Sequence, residues 1–355
     1  MAVIAGTTSC DDFLDREPMS SISPETYYST AAQLEANLND EYPNVLPSFG
    51  QWTYGIFGED KGTDNQIEVN ANDRYTQDRW KVPHSESDNW KFERIYRINF
   101  FLSEALPKFG EDMSGSQNTI SGSVATIKHY IGEMYFLRAY EYFKKLQLFG
   151  DFPIINQPLA DEMEALREAS KRFPRNEVAR FIISDLDKAY AYMSDVDMAT
   201  TRINKDVAML VKSRVALFEA TWLQNFKGTA FVPGGEGWPG ASLHNNYQYP
   251  SGNIDNEVKY FLEQAVEASK LVADKYKGSL TENTGVLQQS ADDPSNPYFD
   301  MFAQEDLSDV KEVLLWRQYA RGLSTHNINA AAGRGNYRIG LTRGFVQNFL
   351  MKDGT

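Results

Sequence analysis

Acidic side chains gather in one stretch of this chain, and paired carboxylates are what acid–base hydrolysis of a glycosidic bond requires. Glu59, Asp60 and Asp64 lie close together, and Asp73 and Asp78 follow them. A glycosidase holds its two carboxyl groups roughly 5–9.5 Å apart across a cleft. Because the chain has 49 acidic residues, such clusters also arise readily in solvated loops. Solvent-facing carboxylates are therefore the favoured interpretation, and hydrolysis stays an alternative.

Metal chemistry has less support in the sequence. The histidines are His84, His129, His244 and His326. No two of them are four residues apart, so the spacing of a zinc motif is missing. Asp60, Asp64 and Asn65 could together ligate calcium, although their spacing differs from that of an EF-hand loop. We therefore expect no cofactor, with a structural calcium ion as an alternative.

Aromatic residues point to a different chemistry, since Tyr, Phe and Trp make up 13% of the chain. Sugars present apolar C–H faces and hydroxyl groups, which flat rings and Asn, Asp or Arg side chains complement. The long irregular stretches 50–86 and 227–253 have this composition, and loops of such length are usually functional. The candidate ring platforms are Trp52, Trp80, Trp238, Tyr247 and Tyr249. The candidate polar partners are Asp64, Asn65, Arg74 and Arg338. An ordinary packing or surface role stays open for each of them, and Trp90 is assigned to the scaffold.

Charge and hydropathy exclude two classes of protein. The formal net charge is −14 and the sequence pI is about 4.9, so the chain repels the phosphate backbone of nucleic acids. The wholly apolar runs are far shorter than the roughly 20 residues that a membrane-spanning helix needs. We expect neither a nucleic-acid partner nor a transmembrane helix.

The single cysteine, Cys10, cannot form an internal disulfide. It follows a short apolar and then small-residue run, Met1–Ser9, and precedes Asp11 and Asp12. This arrangement resembles the end of a bacterial lipoprotein signal, in which the cysteine becomes the acylated first residue. We predict that residues 1–10 are the remnant of a signal peptide and that Cys10 is the lipidation site, with a free thiol as the alternative.

Apolar spacing predicts a mostly helical chain. Ser23 and Pro24 are typical of a helix start, ahead of an apolar stripe that includes Leu34. Residues 88–106 form a second predicted helix, which Pro107 ends. These helices are amphipathic, so each should pack against a neighbour.

The longest predicted helix covers residues 119–149 and ends at Gly150. Its aromatic rows face more than one side, so neighbouring helices should surround it. Within it, Glu133 and Arg138 are roughly 140° apart around the helix, so each should bond to a different neighbour. Three further amphipathic helices follow, centred near Ile182, Val215 and Ala265. Successive antiparallel pairs indicate a tetratricopeptide-like stack.

Several segments together resemble one family. They are Cys10-Asp-Asp-Phe-Leu-Asp15, Trp90-Lys-Phe-Glu-Arg-Ile-Tyr-Arg-Ile-Asn99, Ile131-Gly-Glu-Met-Tyr-Phe-Leu-Arg-Ala-Tyr140 and Leu148-Phe-Gly-Asp-Phe-Pro153. In this order they resemble the SusD/RagB-like nutrient-binding outer-membrane lipoproteins of Bacteroidetes. The third and fourth segments resemble the family's signature and depart from it at Met134 and Phe152, both mild apolar changes.

The resemblance implies a mostly α fold, in which a tetratricopeptide-like scaffold of helix pairs carries an irregular, loop-rich ligand lobe. Residues 11–355 would be a single domain whose C-terminal part is missing. The implied function is capture of an oligosaccharide at the cell surface and its delivery to a SusC-like TonB-dependent transporter, without catalysis. A helical glycoside hydrolase and a tetratricopeptide-type peptide-binding adaptor are the alternatives.

Overall fold

The computed structural model describes most of the chain as a stack of α-helices. The described residues are 27–48, 60–68, 89–110, 112–193, 198–286, 290, 292–326, 339–350 and 354. The main helices are α1 (Ala31–Val45), α2 (Glu93–Phe109), α3 (Val124–Phe149), α5 (Arg175–Tyr192), α6 (Lys205–Asn225) and α7 (Ile254–Tyr276). Shorter helices are α4 (Met163–Ala169), α8 (Pro297–Ala303) and α9 (Arg343–Gln347).

Polar side chains fix where these helices begin. The Thr30 hydroxyl accepts a hydrogen bond from the Gln33 N–H, and the Gln33 side-chain oxygen accepts one from the Thr30 N–H, so α1 starts with a capping box. Ser123, Asn204 and Asn253 are the N-caps of α3, α6 and α7, and each side chain accepts from backbone N–H groups of the first turn. These caps satisfy donors that have no partner within the helix.

The predicted bounds of the first two helices were wrong. The helix that carries Leu34 begins at Ala31 rather than after Pro24, because Thr30 supplies its cap; Ser23 and Pro24 themselves lie outside the described residues. Helix α2 does not end before Pro107 but runs to Phe109. A proline removes only its own N–H from the ladder, and the Gly110 N–H still donates to the Leu106 carbonyl at 3.0 Å, which closes the last turn.

The central helix begins later than the sequence predicts. Residues before Val124 pair instead with the chain ahead of α1, where the Ser121 N–H donates to the Ser29 carbonyl at 2.9 Å and the Ala31 N–H donates back to Ser121. From Ile127 to Leu146 the helix is buried on nearly all sides, as its aromatic rows indicated.

Successive helices run antiparallel and stack side by side. Helices α1 and α2 pack on α3, α3 packs on α5, α5 on α6 and α6 on α7. The ends of α6 and α7 meet where the Asp206 carboxylate accepts from Lys275 at 2.6 Å and from the Tyr276 hydroxyl at 2.7 Å. This arrangement confirms the mostly α, tetratricopeptide-like scaffold, in which each helix buries its apolar stripe against the next.

Glu133 and Arg138 do bond to different neighbours, as their spacing on α3 predicts. The Glu133 carboxylate accepts from Arg202 at 2.7 and 2.9 Å and from the Tyr42 hydroxyl at 2.7 Å. The Arg138 guanidinium donates to Asp185 at 2.7 and 2.9 Å and to the Asn99 side chain at 2.9 Å. Both charges are therefore paired inside the helix stack, which burial requires.

The only regular strands among the described residues form a short antiparallel ribbon. Strand β1 (Gln66–Glu68) pairs with β2 (Ile339–Leu341), with Ile67 opposite Gly340. In the part of the chain that the structure describes, no helix combines the length and the apolar character that crossing a bilayer would take.

Candidate functional site

A long loop between α6 and α7, residues 227–253, carries a dense group of aromatic side chains and is called the aromatic loop below. Apart from one turn of 3-10 helix at Pro239–Ser242, it has no regular structure. Its chain folds back on itself so closely that a Cβ at Gly235 would lie 1.9 Å from the Thr229 carbonyl oxygen. Only glycine fits there, so the loop has a tight and specific backbone path.

The rings of the aromatic loop contact one another in a row. The Trp238 ring lies 5.6 Å from Tyr247, and Tyr247 lies 5.2 Å from Tyr249 in an edge-to-face arrangement. The His244 ring stacks on Trp238 at 5.9 Å. Such contacts stabilise each ring's orientation beyond simple area burial.

Hydrogen bonds fasten these rings to the helical frame. The Trp238 indole N–H donates to the Asp151 carboxylate at 2.7 Å, and the Tyr247 hydroxyl pairs with the Asn176 side-chain amide at 2.9 Å. The Tyr249 hydroxyl donates to the Pro233 carbonyl at 2.6 Å within the loop. A loop fixed at several points loses little conformational entropy when a ligand binds.

Two ion pairs with buried carboxylates lie beneath the loop. The Arg175 guanidinium at the start of α5 donates to Glu219 on α6 at 2.8–3.1 Å. Its central carbon, Cζ, lies 4.1 Å from the centre of the Trp222 ring. Arg180 donates to Glu257 on α7 at 2.7 and 2.9 Å. Both carboxylates are fully buried, so these pairs join α5, α6 and α7 at the base of the loop.

Burial and hydrogen bonds set the protonation of the polar groups in the loop and beneath it. It raises the pKa of both Tyr247 and Tyr249 well above the ordinary 10.0, so both hydroxyls stay protonated and act as donors. Burial also raises the pKa of the Asp151 carboxyl, although the Trp238 and Arg175 N–H groups oppose it. For Glu257, burial again acts to raise the pKa, but hydrogen bonds from Arg180, Asn176 and Ser251 outweigh it and leave the pKa below 4.5.

The lowered pKa of Glu257 predicts a pH-dependent stability. Between the folded and the unfolded pKa the unfolded chain binds more protons, so the stability that Glu257 contributes is present above about pH 4.5 and is lost as the pH falls below it. We expect wild type to be more stable than Glu257→Gln at pH 6 and this difference to shrink below pH 4.5. Denaturant unfolding of both proteins across this range measures it, and a difference that grows on acidification would contradict it.

The structure brings three predicted site residues together and corrects one of them. Trp238, Tyr247 and Tyr249 are neighbours in the aromatic loop. Trp238 is 5% exposed, however, because its ring packs under His244 and its N–H reaches Asp151. The prediction of an open ring platform was therefore wrong for Trp238. Tyr247 and Tyr249 are half-buried, and ligand binding by them stays a prediction.

Asp64 and Asn65 lie elsewhere, at the start of the β1–β2 ribbon. Their backbone carbonyls accept hydrogen bonds from the Thr342 hydroxyl and N–H respectively. The remaining predicted site residues fall outside the described residues: Cys10, Trp52, Arg74, Trp80 and Arg338. Their roles stay predictions.

One exposed ring of the aromatic loop was missed at the level of sequence. Phe231 is 61% exposed, lies 5.5 Å from the Phe226 ring, and its carbonyl accepts from the Trp222 indole N–H at 3.0 Å. The candidate rings were Trp and Tyr, whose polar groups can also bond to a sugar, and phenylalanine has no such group. Its position within residues 227–253 nevertheless places Phe231 in the predicted ligand loop.

Trp90 belongs to the scaffold, as predicted. Its ring contacts Phe149 and Phe152 at 5.0 and 4.9 Å, with the Arg172 guanidinium 4.5 Å from the ring centre. Among the described residues, no group of three or more His, Cys, Asp or Glu side chains is placed to hold a metal ion.

Comparison with known proteins decides the family. A SusD-like family model, described as starch-binding and associating with the outer membrane, matches residues 12–217. The chain belongs to the SusD-like family. The matched residues include the α3 segment with Glu133 and Arg138, whose bonds the structure shows.

Individual relatives agree with this assignment. The SusD-like chain is 26% identical to SusD-like protein P2 of Formosa agariphila over 63% of its own length and 43% of the relative's. It is 25% identical to SusD-like protein P25 of the same organism over 60% of its own length and 41% of the relative's. The chain therefore spans less than half the length of these curated relatives.

A solved structure shares the fold. A SusD-like carbohydrate-binding protein of Bacteroides fragilis superposes with a TM-score of 0.55 at 14% identity. The superposition covers 93% of this chain and 55% of the other. At 14% identity, this similarity shows that the two chains share a fold and does not identify the ligand of this chain.

Proposed function

We propose that this SusD-like protein binds a glycan through the aromatic loop and passes it to a SusC-like TonB-dependent transporter in the outer membrane. The observation that carries the proposal is a loop of aromatic rings fixed to the helical frame, with Phe231 exposed and Tyr247 and Tyr249 half-exposed. Rings held in this way offer flat apolar faces to the C–H faces of sugars. Lipid attached at Cys10 would hold the protein at the cell surface.

The aromatic loop supports binding rather than hydrolysis. Residues 227–253 contain one carboxylate, Glu236, whereas a glycosidase needs a pair. The carboxylates around the loop already have partners: Glu219 and Glu257 are buried in ion pairs with Arg175 and Arg180. Asp151 accepts from the Trp238 indole N–H, and Asp255 pairs with Lys227. The B. fragilis neighbour named as carbohydrate-binding agrees with a binding role.

Removing ring faces should weaken glycan binding without unfolding the protein. We expect Phe231→Ala combined with Tyr249→Ala to raise the Kd about 10-fold or more, because each ring contact contributes roughly 0.5–1.5 kcal/mol. Binding is measured first on an array of neutral oligosaccharides and then by calorimetry with the strongest binder, alongside an assay for newly released reducing ends. Leu243→Ala is the matched control, since Leu243 is apolar and 53% exposed in the same loop but carries no ring.

Three results would go against this function. An unchanged Kd in the Phe231→Ala, Tyr249→Ala double variant would show that the aromatic loop does not bind the glycan. Release of reducing ends that a carboxylate substitution abolishes would instead support the helical glycoside hydrolase. Capture of a peptide with no affinity for any glycan would favour the peptide-binding adaptor.

A further inference from the structure

A surface concavity lies apart from the aromatic loop, beyond the end of α7. It has a volume of about 380 Å³ and lies between the chain after α7, helix α8 and residues 309–311. Ligand sites for small molecules commonly have volumes of this order. It is called the α8 groove below.

Hydrogen bonds hold the walls of the α8 groove together. The Asn296 side chain is 6% exposed; its oxygen accepts from the Thr284 and Tyr298 N–H groups, and its nitrogen donates to the Asn283 side chain at 3.0 Å. The Thr281 N–H donates to the Glu312 carboxylate at 2.6 Å, which ties the chain after α7 to the segment that carries Lys311. The groove is therefore formed before any ligand arrives.

The groove combines free polar groups with an apolar floor. Met301 is buried and forms part of the floor. Around it lie the side chains of Asp300, Gln304, Asp309 and Lys311. Among the described residues, none of these four side chains has a hydrogen-bond or ion-pair partner, so each is available to a ligand. A few convergent polar groups over apolar surface are characteristic of sites for small polar molecules.

Charge narrows the class of ligand. Asp300 and Asp309 place two negative charges in the groove against the one positive charge of Lys311. Carboxylates accept hydrogen bonds from hydroxyl groups and repel carboxylate or sulfate groups. On the adjoining stripe of α8, the Tyr298 and Phe302 rings are 41% and 72% exposed and contact each other at 5.2 Å. Such rings suit the apolar face of a sugar.

We propose that the α8 groove is a second ligand site, which binds a neutral, hydroxyl-rich saccharide unit and excludes acidic sugars. This inference rests on the proposed glycan-binding function and adds to it a place and a charge preference. Glycan contact at two separate sites increases the overall affinity for a chain long enough to reach both.

The test compares the two sites on one set of glycans. The probes are neutral gluco-, manno- and galacto-oligosaccharides on an array, with oligogalacturonides as acidic comparators, followed by calorimetry with the strongest neutral binder. We expect Asp300→Ala combined with Asp309→Ala to raise its Kd about 10-fold or more, because hydrogen bonds to charged groups are lost. Asp292→Ala combined with Glu305→Ala removes the same charge outside the groove lining and should leave the Kd unchanged.

The possible results distinguish failure of the α8-groove proposal from failure of the proposed glycan-binding function. An unchanged Kd in the groove variant, with a raised Kd in Phe231→Ala combined with Tyr249→Ala, would overturn the groove and keep the glycan-binding function. Oligogalacturonides that bind as tightly as the neutral glycans would overturn the charge preference. Failure of the wild type to bind any glycan would overturn the proposed function and the groove with it.

Discussion

Replacing Arg138 by methionine is expected to lower the free energy of unfolding by about 3–5 kcal/mol. Arg138 is 3% exposed and Asp185 is 0% exposed, and their two hydrogen bonds join α3 to α5. Without the guanidinium, the Asp185 carboxylate stays buried, and the one cation that remains near it among the described residues is the Lys188 nitrogen at 3.8 Å. Asn99 loses a donor as well. Denaturant unfolding followed by circular dichroism measures the loss.

Two further variants show whether the buried charge causes that loss. Lys259→Met removes one partner of an exposed pair with Glu263 at 3.8 Å and should change stability little. Arg138→Met combined with Asp185→Leu removes both charges and should recover part of the loss. A single Arg138→Met variant as stable as wild type would show that the ion pair does not hold α3 against α5.

Gly132→Ala should also destabilise the protein, by about 1–3 kcal/mol, although the same change in an exposed helix is normally favourable. Gly132 lies where α3 packs against the end of α5. A Cβ there would lie 2.8 Å from the Met193 backbone nitrogen and 2.9 Å from the Ala189 carbonyl oxygen. Backbone atoms cannot move aside as a flexible side chain can, so the two helices would have to separate.

Gly278→Ala is the matched control for this prediction. Gly278 lies just after α7, where a Cβ would have no atom within 4 Å, so we expect stability close to that of wild type. Thermal unfolding of both variants gives the comparison. Equal stability of Gly132→Ala and wild type would mean that the α3–α5 contact is looser than the structure shows.

The two buried charges of α3, Glu133 and Arg138, show what helix periodicity can and cannot predict. Five residues of separation on one helix are enough to predict that Glu133 and Arg138 point to different neighbours. The identity of those neighbours is not contained in local spacing. Asp185 lies 47 residues from Arg138 in the chain and Arg202 lies 69 residues from Glu133, and only the stacking of α3 on its neighbours brings them together.

In the candidate site, too, the sequence predicts which segment is involved but not which distant residues contact it. Composition identified residues 227–253 as an aromatic loop, and the structure shows its rings in contact. Composition alone could not show that the Trp238 ring turns inward, because its hydrogen-bond partner Asp151 is 87 residues away in the chain. The α8 groove gave no signal at all, since its lining comes from three short segments of ordinary composition.

The helical frame explains how a loop can serve as a binding surface. Arg175 and Arg180 tie α5 to α6 and α7 directly beneath the aromatic loop. Asp151 and Asn176 then fix the Trp238 and Tyr247 rings to that frame. In the proposed function, a ligand would meet rings already in position, so little of its binding energy would be spent on ordering them.

The most direct test of this proposed function is a crystal structure of the protein soaked with the neutral oligosaccharide that binds most tightly on the array. The aromatic loop is predicted to contact the sugar through the faces of Phe231, Tyr247 or Tyr249, with the helical frame unchanged. A bound sugar that touches neither the aromatic loop nor the α8 groove would contradict the proposed binding surface.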